Sequence, residues 1–285
     1  DKEQGVWYVD EVYNKINQGS IWEYSSNVTA LKSWGRNRFG YLGHDTADPG
    51  IQGYSSPTQI SGTTWETIPI ATSGENPWGS MAVKTDGTLW VWGSSARGAL
   101  GNNVPTTEYS SSPTQVGTDT TWSDGAWGPY GFRMIKTDGT LWGTGQNQAG
   151  QLGQNDIRTP SYSGYSSPTQ IPGTTWSQVV TGTSNNFGIK TDGTLWGWGG
   201  HGYGALGLND NSARSSPTQI TGTWSVVRMW NYGAHAVKTD GTLWSWGVNY
   251  GGQCGLNQTS PGAENSPSQV GSDTTWGQTI DTLGA

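Results

Sequence analysis

Short runs of β-branched and aromatic residues recur along the chain, and Gly, Ser, Thr and Asn separate them. One heptapeptide, KTDGTLW, occurs four times, beginning at Lys84, Lys136, Lys190 and Lys238. Asp-Gly between two apolar runs is a strong hairpin signal, because Gly accepts the positive φ of a tight turn. Each copy is therefore predicted to form a β-hairpin, and a repeated hairpin indicates a repeated structural unit.

The repeated unit extends beyond the heptapeptide and contains four predicted strands, here named A to D. Strand A is T-W-x-x-V, strand B runs into K-T-D-G, strand C is T-L-W-x-W-G, and strand D is S-P-T-Q. A G-x-L-G turn and a polar loop lie between strands C and D. The strand D prolines stand 49 to 56 residues apart, at Pro57, Pro113, Pro168, Pro217 and Pro267. This period is typical of a four-stranded propeller blade.

The number of elements predicts an all-β fold, a five-bladed β-propeller of four-stranded blades over residues 21–285. Strand A opens at Trp65, Trp122, Trp176, Trp224 and Trp276. Residues 31–35 match a degenerate strand C, and residues 21–26 are a candidate strand B. The first blade lacks a strand A, and the strand at residues 275–280 lacks a blade. We therefore expect the C-terminal strand to join the N-terminal blade and close the ring.

Composition and charge narrow the classes of function. The formal net charge is −7, whereas a nucleic-acid backbone is bound by clustered Lys and Arg, so no nucleic-acid partner is expected. No apolar run approaches the length of a membrane span, so no membrane insertion is expected. The single cysteine, Cys254, excludes an internal disulfide framework.

Side chains with catalytic or metal-binding chemistry do not form a recognisable set. His44, His201 and His235 fall at different places in the repeat, so neither a metal site nor a cofactor is predicted. The repeated Asp of K-T-D-G is read as a turn residue. Cys254 stands where other copies have Leu, and it is read as a small buried residue. No catalytic residue is assigned, and the chain is predicted not to be an enzyme.

The repeat resembles the regulator of chromosome condensation repeat family. The resemblance rests on W-G, G-Q-L-G and S-P elements, such as Trp92-Gly93, Gly150–Gly153 and Ser112-Pro113, and it covers roughly residues 21–281. It implies a propeller, and the best-known members have seven blades. The K-T-D-G-T-L-W form with G-T-T-W is similar to a variety found in bacterial and phage proteins.

The two faces of such a propeller differ in sequence. The B–C and D–A turns share one face, the constant face, where Asp-Gly-Thr is repeated. The A–B and C–D loops share the other, the variable face. Tyr and Trp offer large contact area with a polar tip, and loops on a rigid scaffold are frequent binding sites. The candidate ligand-binding residues are Trp78, Trp127, Tyr130, Trp230 and Tyr232. The alternative is that these aromatic residues plug the axial opening of the ring.

Residues 1–20 contain no repeat element and form an N-terminal extension. Residues 10–18 have apolar side chains at helical spacing, which predicts a short helix. A helix of this length is marginal alone, so it should dock on something. Trp7, Val12, Tyr13 and Ile16 are the candidate attachment residues. The segment is expected either to pack on its own propeller or to attach the propeller to a larger assembly.

The function that the sequence favours is a non-enzymatic binding propeller at a virion surface or outside the cell. In this interpretation it is a phage capsid decoration, tail or fibre domain. Its partners are other virion or surface proteins, through residues 1–20, and a glycan or host-surface receptor, through the variable face. One alternative is a bacterial secreted or surface adhesion protein. Another is a protein-binding regulator or inhibitor of the same repeat family.

Overall fold

The structure is a computed structural model. It describes residues 30–45, 53–67, 70–71, 79–104, 108–157, 164–200, 202–230, 232–257 and 262–277. The predicted N-terminal extension, its helix at residues 10–18 and the candidate strand at residues 21–26 lie outside these ranges. Within the described residues, no helix is long and apolar enough to cross a membrane.

The described residues form nineteen strands in five sheets, one sheet for each predicted blade. Blade 1 contains β1 (Lys32–Arg36) and β2 (Gly53–Gln59). Blade 2 contains β3 (Trp65–Thr67), β4 (Ile70–Ala71), β5 (Gly79–Lys84), β6 (Leu89–Ser94) and β7 (Tyr109–Gln115). Blade 3 contains β8 (Trp122–Gly128), β9 (Gly131–Lys136), β10 (Leu141–Gln146) and β11 (Gly164–Ile171). Blade 4 contains β12 (Trp176–Thr181), β13 (Asn185–Lys190), β14 (Leu195–Gly199) and β15 (Arg214–Ile220). Blade 5 contains β16 (Trp224–Trp230), β17 (Gly233–Lys238), β18 (Leu243–Val248) and β19 (Ala263–Gln269).

Each complete blade is an antiparallel meander in chain order, A to D. In blade 2, β4 leaves its own sheet and pairs in parallel with β8 of blade 3. Three short 3₁₀ turns follow strand C in blades 1, 2 and 4, at Arg38–Gly40, Ala96–Gly98 and Gly202–Gly204. The all-β, five-bladed propeller predicted from the repeat is confirmed.

The Asp and Thr of each heptapeptide build the B–C turn. In blade 3, Asp138 Oδ1 accepts hydrogen bonds from the backbone N–H of Thr140 (2.9 Å) and from its hydroxyl (2.7 Å). The Thr140 hydroxyl oxygen in turn accepts the indole N–H of Trp142 at 2.9 Å. Blades 2, 4 and 5 repeat these contacts. The turn therefore orients the first tryptophan of strand C.

The Lys of each heptapeptide lies between two tryptophan rings. Lys136 Nζ is 4.7 Å from the ring centroid of Trp122 on strand A and 4.1 Å from that of Trp142 on strand C. A cation over an indole face is attracted by the negative face of the ring. The same arrangement surrounds Lys84, Lys190 and Lys238. The Lys, the Asp, the second Thr and the Trp of the repeated string thus all take part in the scaffold.

The core lies between neighbouring blades. One cluster joins Met81, Val83 and Leu89 of blade 2 to Trp122 and Phe132 of blade 3. Clusters of the same kind join blades 3 and 4 and blades 4 and 5. The strand A tryptophans at Trp65, Trp122, Trp176 and Trp224 are almost fully buried. Burial of large aromatic side chains at these contacts is the main stabilising contribution that the repeat provides.

The predicted closing strand is only partly within the described residues. Residues 273–277 have no strand structure, and residues 278–280 lie outside the described ranges. The backbone N–H of Trp276 nevertheless donates to the Gly241 carbonyl (3.2 Å), as Trp176 does to Gly139 (2.9 Å). The chain beyond blade 5 thus begins along the strand A path, and the closing strand itself stays a prediction.

Candidate functional site

In blades 1, 3 and 5 an asparagine side chain holds the first residues of the C–D loop. Asn37, Asn147 and Asn249 each follow strand C, and each side-chain oxygen accepts a backbone N–H five residues later at 2.9–3.1 Å. A side-chain amide that satisfies a loop N–H in this way rigidifies a segment without regular structure. The first turn of each of these loops is therefore fixed to the end of strand C.

Three bulky loop residues have left-handed backbone angles. Phe39, Arg97 and Tyr203 have φ values of 56°, 62° and 57°, and each directly precedes the glycine of its G-x-L-G turn. Left-handed φ is uncommon for bulky residues and costs free energy, and such residues concentrate at functional sites.

Each of these three side chains reaches the next blade described along the chain. The Phe39 ring lies 6.3 Å from the Tyr109 ring, and the Tyr203 ring lies 5.5 Å from the Tyr232 ring. The Arg97 guanidinium lies 3.9 Å from the Tyr130 ring centroid. The left-handed loop position thus links neighbouring blades along the variable face.

Three tyrosines from blades 4 and 5 form an exposed cluster. Tyr203 contacts Tyr232 and Tyr250 edge-on, with ring centroids 5.5 and 5.9 Å apart. The three side chains are 46–53% exposed. We call Tyr203, Tyr232 and Tyr250 the tyrosine cluster. It offers aromatic area and three hydroxyl groups to a partner, on loops that are themselves supported by the sheets.

A second aromatic group on the variable face carries positive charge. Phe39 packs edge-on against Tyr41 (5.9 Å), and the Arg38 guanidinium lies 4.7 Å from the Phe39 ring centroid. Tyr109 of blade 2 is exposed beside them. Burial raises the pKa of Tyr41, against the opposing effect of Arg38 and Arg36. The variable face thus carries two aromatic groups, the tyrosine cluster of blades 4 and 5 and an arginine-bearing group at blades 1 and 2.

A small polar pocket of this face lies between blades 3 and 4. It encloses about 10 Å³ and is lined by Tyr130, Arg133, Gln151 and their neighbours. The Arg133 guanidinium is fully buried, and desolvation lowers its pKa to about 9. It donates to the carbonyl oxygens of Phe132, Thr144 and Gln151 at 2.8–3.3 Å. A cavity of this size holds about one water molecule, so it is not a substrate pocket.

Larger depressions lie at the constant side, between blades. Two of about 430 and 390 Å³ occupy equivalent positions, beside Asp86 and Trp122 and beside Asp138 and Trp176. Their equivalence follows from the repeat, because the same turn packs on the same strand A start in each blade. We interpret them as grooves of the scaffold.

Titratable groups that could support catalysis are dispersed or buried. No group of three His, Cys, Asp or Glu side chains suited to a metal ion occurs within the described ranges. The His235 ring stacks 4.3 Å from Trp230, and burial lowers its pKa to about 4, so it is neutral at physiological pH. Burial raises the pKa of the Cys254 thiol, which keeps it protonated.

The five candidate binding residues have different environments. Trp78 lies outside the described residues. Tyr232 belongs to the tyrosine cluster, and Tyr130 is half-buried beneath Arg97. Trp230 is half-buried against His235 and ends strand β16, so it does not lie in a loop as predicted. The attachment residues Trp7, Val12, Tyr13 and Ile16 also lie outside the described residues.

The placement of Trp127 is corrected by the structure. Trp127 lies within strand β8 and not in an A–B loop, and its side chain is 2% exposed. It packs against Phe132 at 6.0 Å, in the core between blades 2 and 3. A ligand at the surface does not reach it. Trp127 belongs to strand A of blade 3, because this strand extends to Gly128 and is longer than the T-W-x-x-V pattern predicted.

Sequence reasoning did not identify Phe39, Arg38 and Arg97 as members of this surface. A usable signal is the position before the first glycine of G-x-L-G. That position holds Phe39, Arg97 and Tyr203 in three blades but Ala149 and Gly251 in the others. The sequence shows that this position varies between blades, but only the structure shows that its backbone is left-handed at Phe39, Arg97 and Tyr203.

Comparison with known proteins agrees with this architecture. The Regulator of chromosome condensation (RCC1) repeat matches residues 192–229 and 240–277. The Ultraviolet-B receptor UVR8 of Arabidopsis thaliana is 29% identical over 195 residues, which are 67% of this chain and 42% of that protein. The probable E3 ubiquitin-protein ligase HERC6 of Homo sapiens is 29% identical over 70% of this chain and 19% of its own length. The chain thus spans less than half the length of these relatives.

Solved structures show the same fold at low sequence identity. Prp20p of Saccharomyces cerevisiae is 17% identical with a TM-score of 0.70, over 87% of this chain and 60% of that chain. Human WBSCR16 is 20% identical with a TM-score of 0.67, over 85% of this chain and 67% of its own. The chain therefore shares the β-propeller fold of these structures, and two of its repeats match the RCC1 repeat.

Proposed function

We propose that this propeller is a non-enzymatic protein-binding module that contacts a partner protein through its variable face. The observation that carries the proposal is the tyrosine cluster, in which three exposed rings from three loops of two blades lie together. Exposed aromatic groups on supported loops are typical of interaction sites, whereas an isolated exposed ring needs no explanation.

The chemistry of the face favours a protein as the partner. Tyr and Arg are enriched at the energetic centres of protein interfaces. The tyrosine cluster and the group of Arg38, Phe39 and Tyr109 supply both residue types on the same face. Among similar structures, Prp20p is described with binding properties to Gsp1p and histones, and another structure shows Kap60 bound to it. Those partners belong to Prp20p, and they support protein binding as the general role of the fold.

The left-handed backbone at Tyr203 supports the same proposal. A bulky residue in this conformation costs on the order of 1–3 kcal/mol, and selection for stability alone would favour Gly there. We expect Tyr203→Gly to leave the free energy of unfolding unchanged or to raise it, while it weakens partner binding. If Tyr203 served only to hold blades 4 and 5 together, the substitution would lower the free energy of unfolding instead.

The first experiment identifies and then measures the partner. A photo-crosslinking phenylalanine analogue is placed at Tyr232, and at Thr191 on the constant face as a control. A protein captured only from position 232 is purified, and its Kd is measured against wild type and against the triple variant Tyr203→Ser, Tyr232→Ser and Tyr250→Ser. We expect at least a tenfold rise in Kd, since interface hot spots each contribute about 2 kcal/mol or more.

The matched control is Thr137→Ala with Thr191→Ala, at exposed positions of the constant face. An unchanged Kd for the tyrosine variant, or an equal rise for the control, would contradict the proposal. A glycan array tests the alternative that the partner is a carbohydrate. Glycan binding by wild type that disappears in the triple variant would replace the protein partner with a carbohydrate.

Attachment to a host surface or glycan, from a virion or from outside the cell, stays a prediction. It rests on the similarity of KTDGTLW to the bacterial and phage variety of the repeat and on residues 1–20, which lie outside the described residues. Detection of the chain in purified virions would support it.

A further inference from the structure

A buried arginine in blade 3 occupies a position that is apolar in blades 2 and 4. Three residues before the repeated Lys, strand B carries Met81, Arg133, Phe187 and His235 in blades 2 to 5. Met81 and Phe187 belong to the core between blades. Arg133 is 4% exposed and brings a charge into the same kind of place, where an unpaired charge is costly. The construction of a blade therefore does not require this charge.

No carboxylate forms an ion pair with Arg133 within the described part of the chain. Burial lowers its pKa only to about 9, so the guanidinium stays charged at neutral pH. It lines the small polar pocket between blades 3 and 4, and the lining of that pocket includes neither Asp nor Glu. The Arg97 guanidinium lies against the same lining, because it stacks on Tyr130 (3.9 Å to the ring centroid) and donates to Gln146 Oε1. The pocket is thus electropositive.

Hydrogen-bond donors outnumber acceptors around the Arg133 guanidinium. The Gln151 carbonyl oxygen has two lone pairs but receives four N–H groups. These come from Arg133 Nε (3.3 Å) and Nη2 (2.9 Å), Asn186 Nδ2 (2.9 Å) and Trp198 Nε1 (2.9 Å). The buried polar groups of this site therefore lack acceptors, and an added acceptor would stabilise them.

Two donors at this site have no partner among the described residues. Arg133 Nη1 donates to the Phe132 and Thr144 carbonyls, so that four of the five guanidinium N–H groups are engaged and one on Nη2 remains. Gln151 Nε2 is buried and has no partner either. The Ala149 N–H donates to Gln151 Oε1 at 2.8 Å, which fixes the orientation of the amide. Arg133 and Gln151 both line the pocket, so an acceptor in the pocket would meet both donors.

We propose that this pocket binds one monatomic anion, and that chloride is the physiological ion that fits it. The anion accepts the remaining N–H of Arg133 Nη2 and that of Gln151 Nε2, and it compensates the buried charge. The volume of about 10 Å³ admits one species of about the size of a water molecule, which excludes sulfate, phosphate and carboxylates. A water molecule would accept the same two hydrogen bonds, but it would add two donors and leave the charge unpaired.

The first experiment locates the ion by anomalous scattering from bromide, which has the charge of chloride. The full chain is crystallised with sodium bromide, and data are collected at the bromine absorption edge. We expect an anomalous peak within hydrogen-bond distance of Arg133 Nη2 and Gln151 Nε2. Density without an anomalous signal would identify a water molecule, and either that result or the lack of any density would overturn the proposal.

The second experiment measures binding in solution by chlorine NMR. The excess linewidth of the chloride signal is followed as chloride is added, with sodium gluconate keeping the ionic strength constant. We expect a saturable excess linewidth that bromide removes by competition. Arg133→Met introduces the residue of blade 2 and should abolish it. Gln151→Ala introduces the residue that Ala99 and Ala205 provide in other turns, and it should raise the chloride Kd about tenfold, since one hydrogen bond to a charged group is lost.

Arg228→Met is the matched control. Arg228 in blade 5 donates to the carbonyl of the residue before it, Val227 (3.0 Å), as Arg133 does to Phe132, but it does not line the pocket. This variant loses the same charge and should keep the wild-type linewidth. An excess linewidth that survives Arg133→Met, or that falls equally in the control, would contradict the site.

Two further outcomes are decisive. A bromide peak in the crystal without a saturable signal in solution would mean binding at crystal concentration only, and would overturn the proposal. Circular dichroism shows whether each variant is folded, and if Arg133→Met is not, Gln151→Ala and the wild-type crystal decide. No tyrosine of the tyrosine cluster lines this pocket, so these outcomes are independent of protein binding by the variable face.

Discussion

Blade 3 and blade 4 occupy equivalent positions in the ring but join the preceding blade with different side chains. Blade 4 uses Trp198, whose indole N–H donates to the Gln151 carbonyl at 2.9 Å. Blade 3 has Thr144 at that position, and its hydroxyl donates to the Ala99 carbonyl at the same distance. The hydrogen bond between blades is therefore kept although the ring that carries it is lost.

The volume of the missing indole is supplied by the neighbouring strand. In blade 4, Trp198 lies opposite Asn186 in the sheet, and in blade 5 Trp246 lies opposite Ala234. In blade 3 the residue at the Asn186 position is Phe132, which is fully buried. The second glycine of the preceding G-x-L-G turn packs on Trp198 at Gly153, but on Phe132 and Thr144 at Gly101. Each junction thus needs an aromatic ring and a donor, and blade 3 takes them from two residues.

The largest expected effect is the loss of ring and donor together. Trp198→Ala should lower the free energy of unfolding by about 3–5 kcal/mol, because the side chain is fully buried and the Gln151 carbonyl loses one donor. Urea denaturation followed by circular dichroism measures it. Tyr250→Ala at the exposed surface is the control, with an expected change of less than about 0.5 kcal/mol. If Trp198→Ala lowered the free energy of unfolding no more than the control does, the contact between blades 3 and 4 would not depend on this tryptophan.

Placing the tryptophan of blade 4 at the equivalent position of blade 3 tests whether Phe132 replaces the indole. Thr144→Trp alone should destabilise by about 1–3 kcal/mol, since Phe132 already fills the place of the indole. Adding Phe132→Ala, the residue type that faces Trp246, should recover a large part of that loss. A double-mutant cycle in urea measures the coupling between the two positions. Additive effects of the two substitutions would contradict the compensation.

A substitution at Thr144 can remove the hydroxyl donor while it keeps the side-chain volume. Thr144→Val should cost about 1–3 kcal/mol, because the Ala99 carbonyl loses the Thr144 hydroxyl as a donor at a buried site. Thr144→Ser keeps the hydroxyl and removes one methyl group, so it should cost less than Thr144→Val. Thermal denaturation of the two variants under the same conditions shows which of them is less stable. The reverse order would show that packing of the methyl group, and not the hydrogen bond, matters at this junction.

The smallest expected effect concerns the constant turns, in which blades 3 and 4 are alike. Hydrogen bonds from Thr140 and Thr194, first from the hydroxyl and then from the backbone, hold the pKa of Asp138 and Asp192 below the ordinary carboxyl value. A depressed folded-state pKa contributes stability above the unfolded pKa of about 3.9, and that contribution is lost as the pH falls through the folded pKa. Stability should therefore decline in acid below about pH 4.

Asp138→Asn and Asp192→Asn should each weaken this acid dependence to the same small extent. The measurement is the urea midpoint across a pH series from neutral to about pH 2. Asp124→Asn is the control, because its carboxylate accepts a hydrogen bond from Gly125 and takes part in no Asp-Gly-Thr turn. A difference between the Asp138 and Asp192 variants would show that the two blades differ at the constant face as well.

The fold could be predicted because its signals are local. The turn at residues 137–140 depends on Asp138, Gly139 and Thr140 alone, and the same residues recur in each clear repeat. The candidate site could be predicted only in part. Tyr232 is exposed as expected, but Trp127 has the same residue type as the exposed Trp34 and is buried. Exposure depends on neighbours from other blades, and residue type does not report them.

The order of strands, the period of the repeat and the number of blades are properties that the amino-acid sequence determined by itself, because hairpin turns and strand patterns act between residues close in the chain. The tertiary structure decided how Phe132 replaces an indole, why Trp127 belongs to the core, and which loop tyrosines meet. These depend on side chains brought together from separate blades, whose distances and free volumes are set only when the sheets pack against one another.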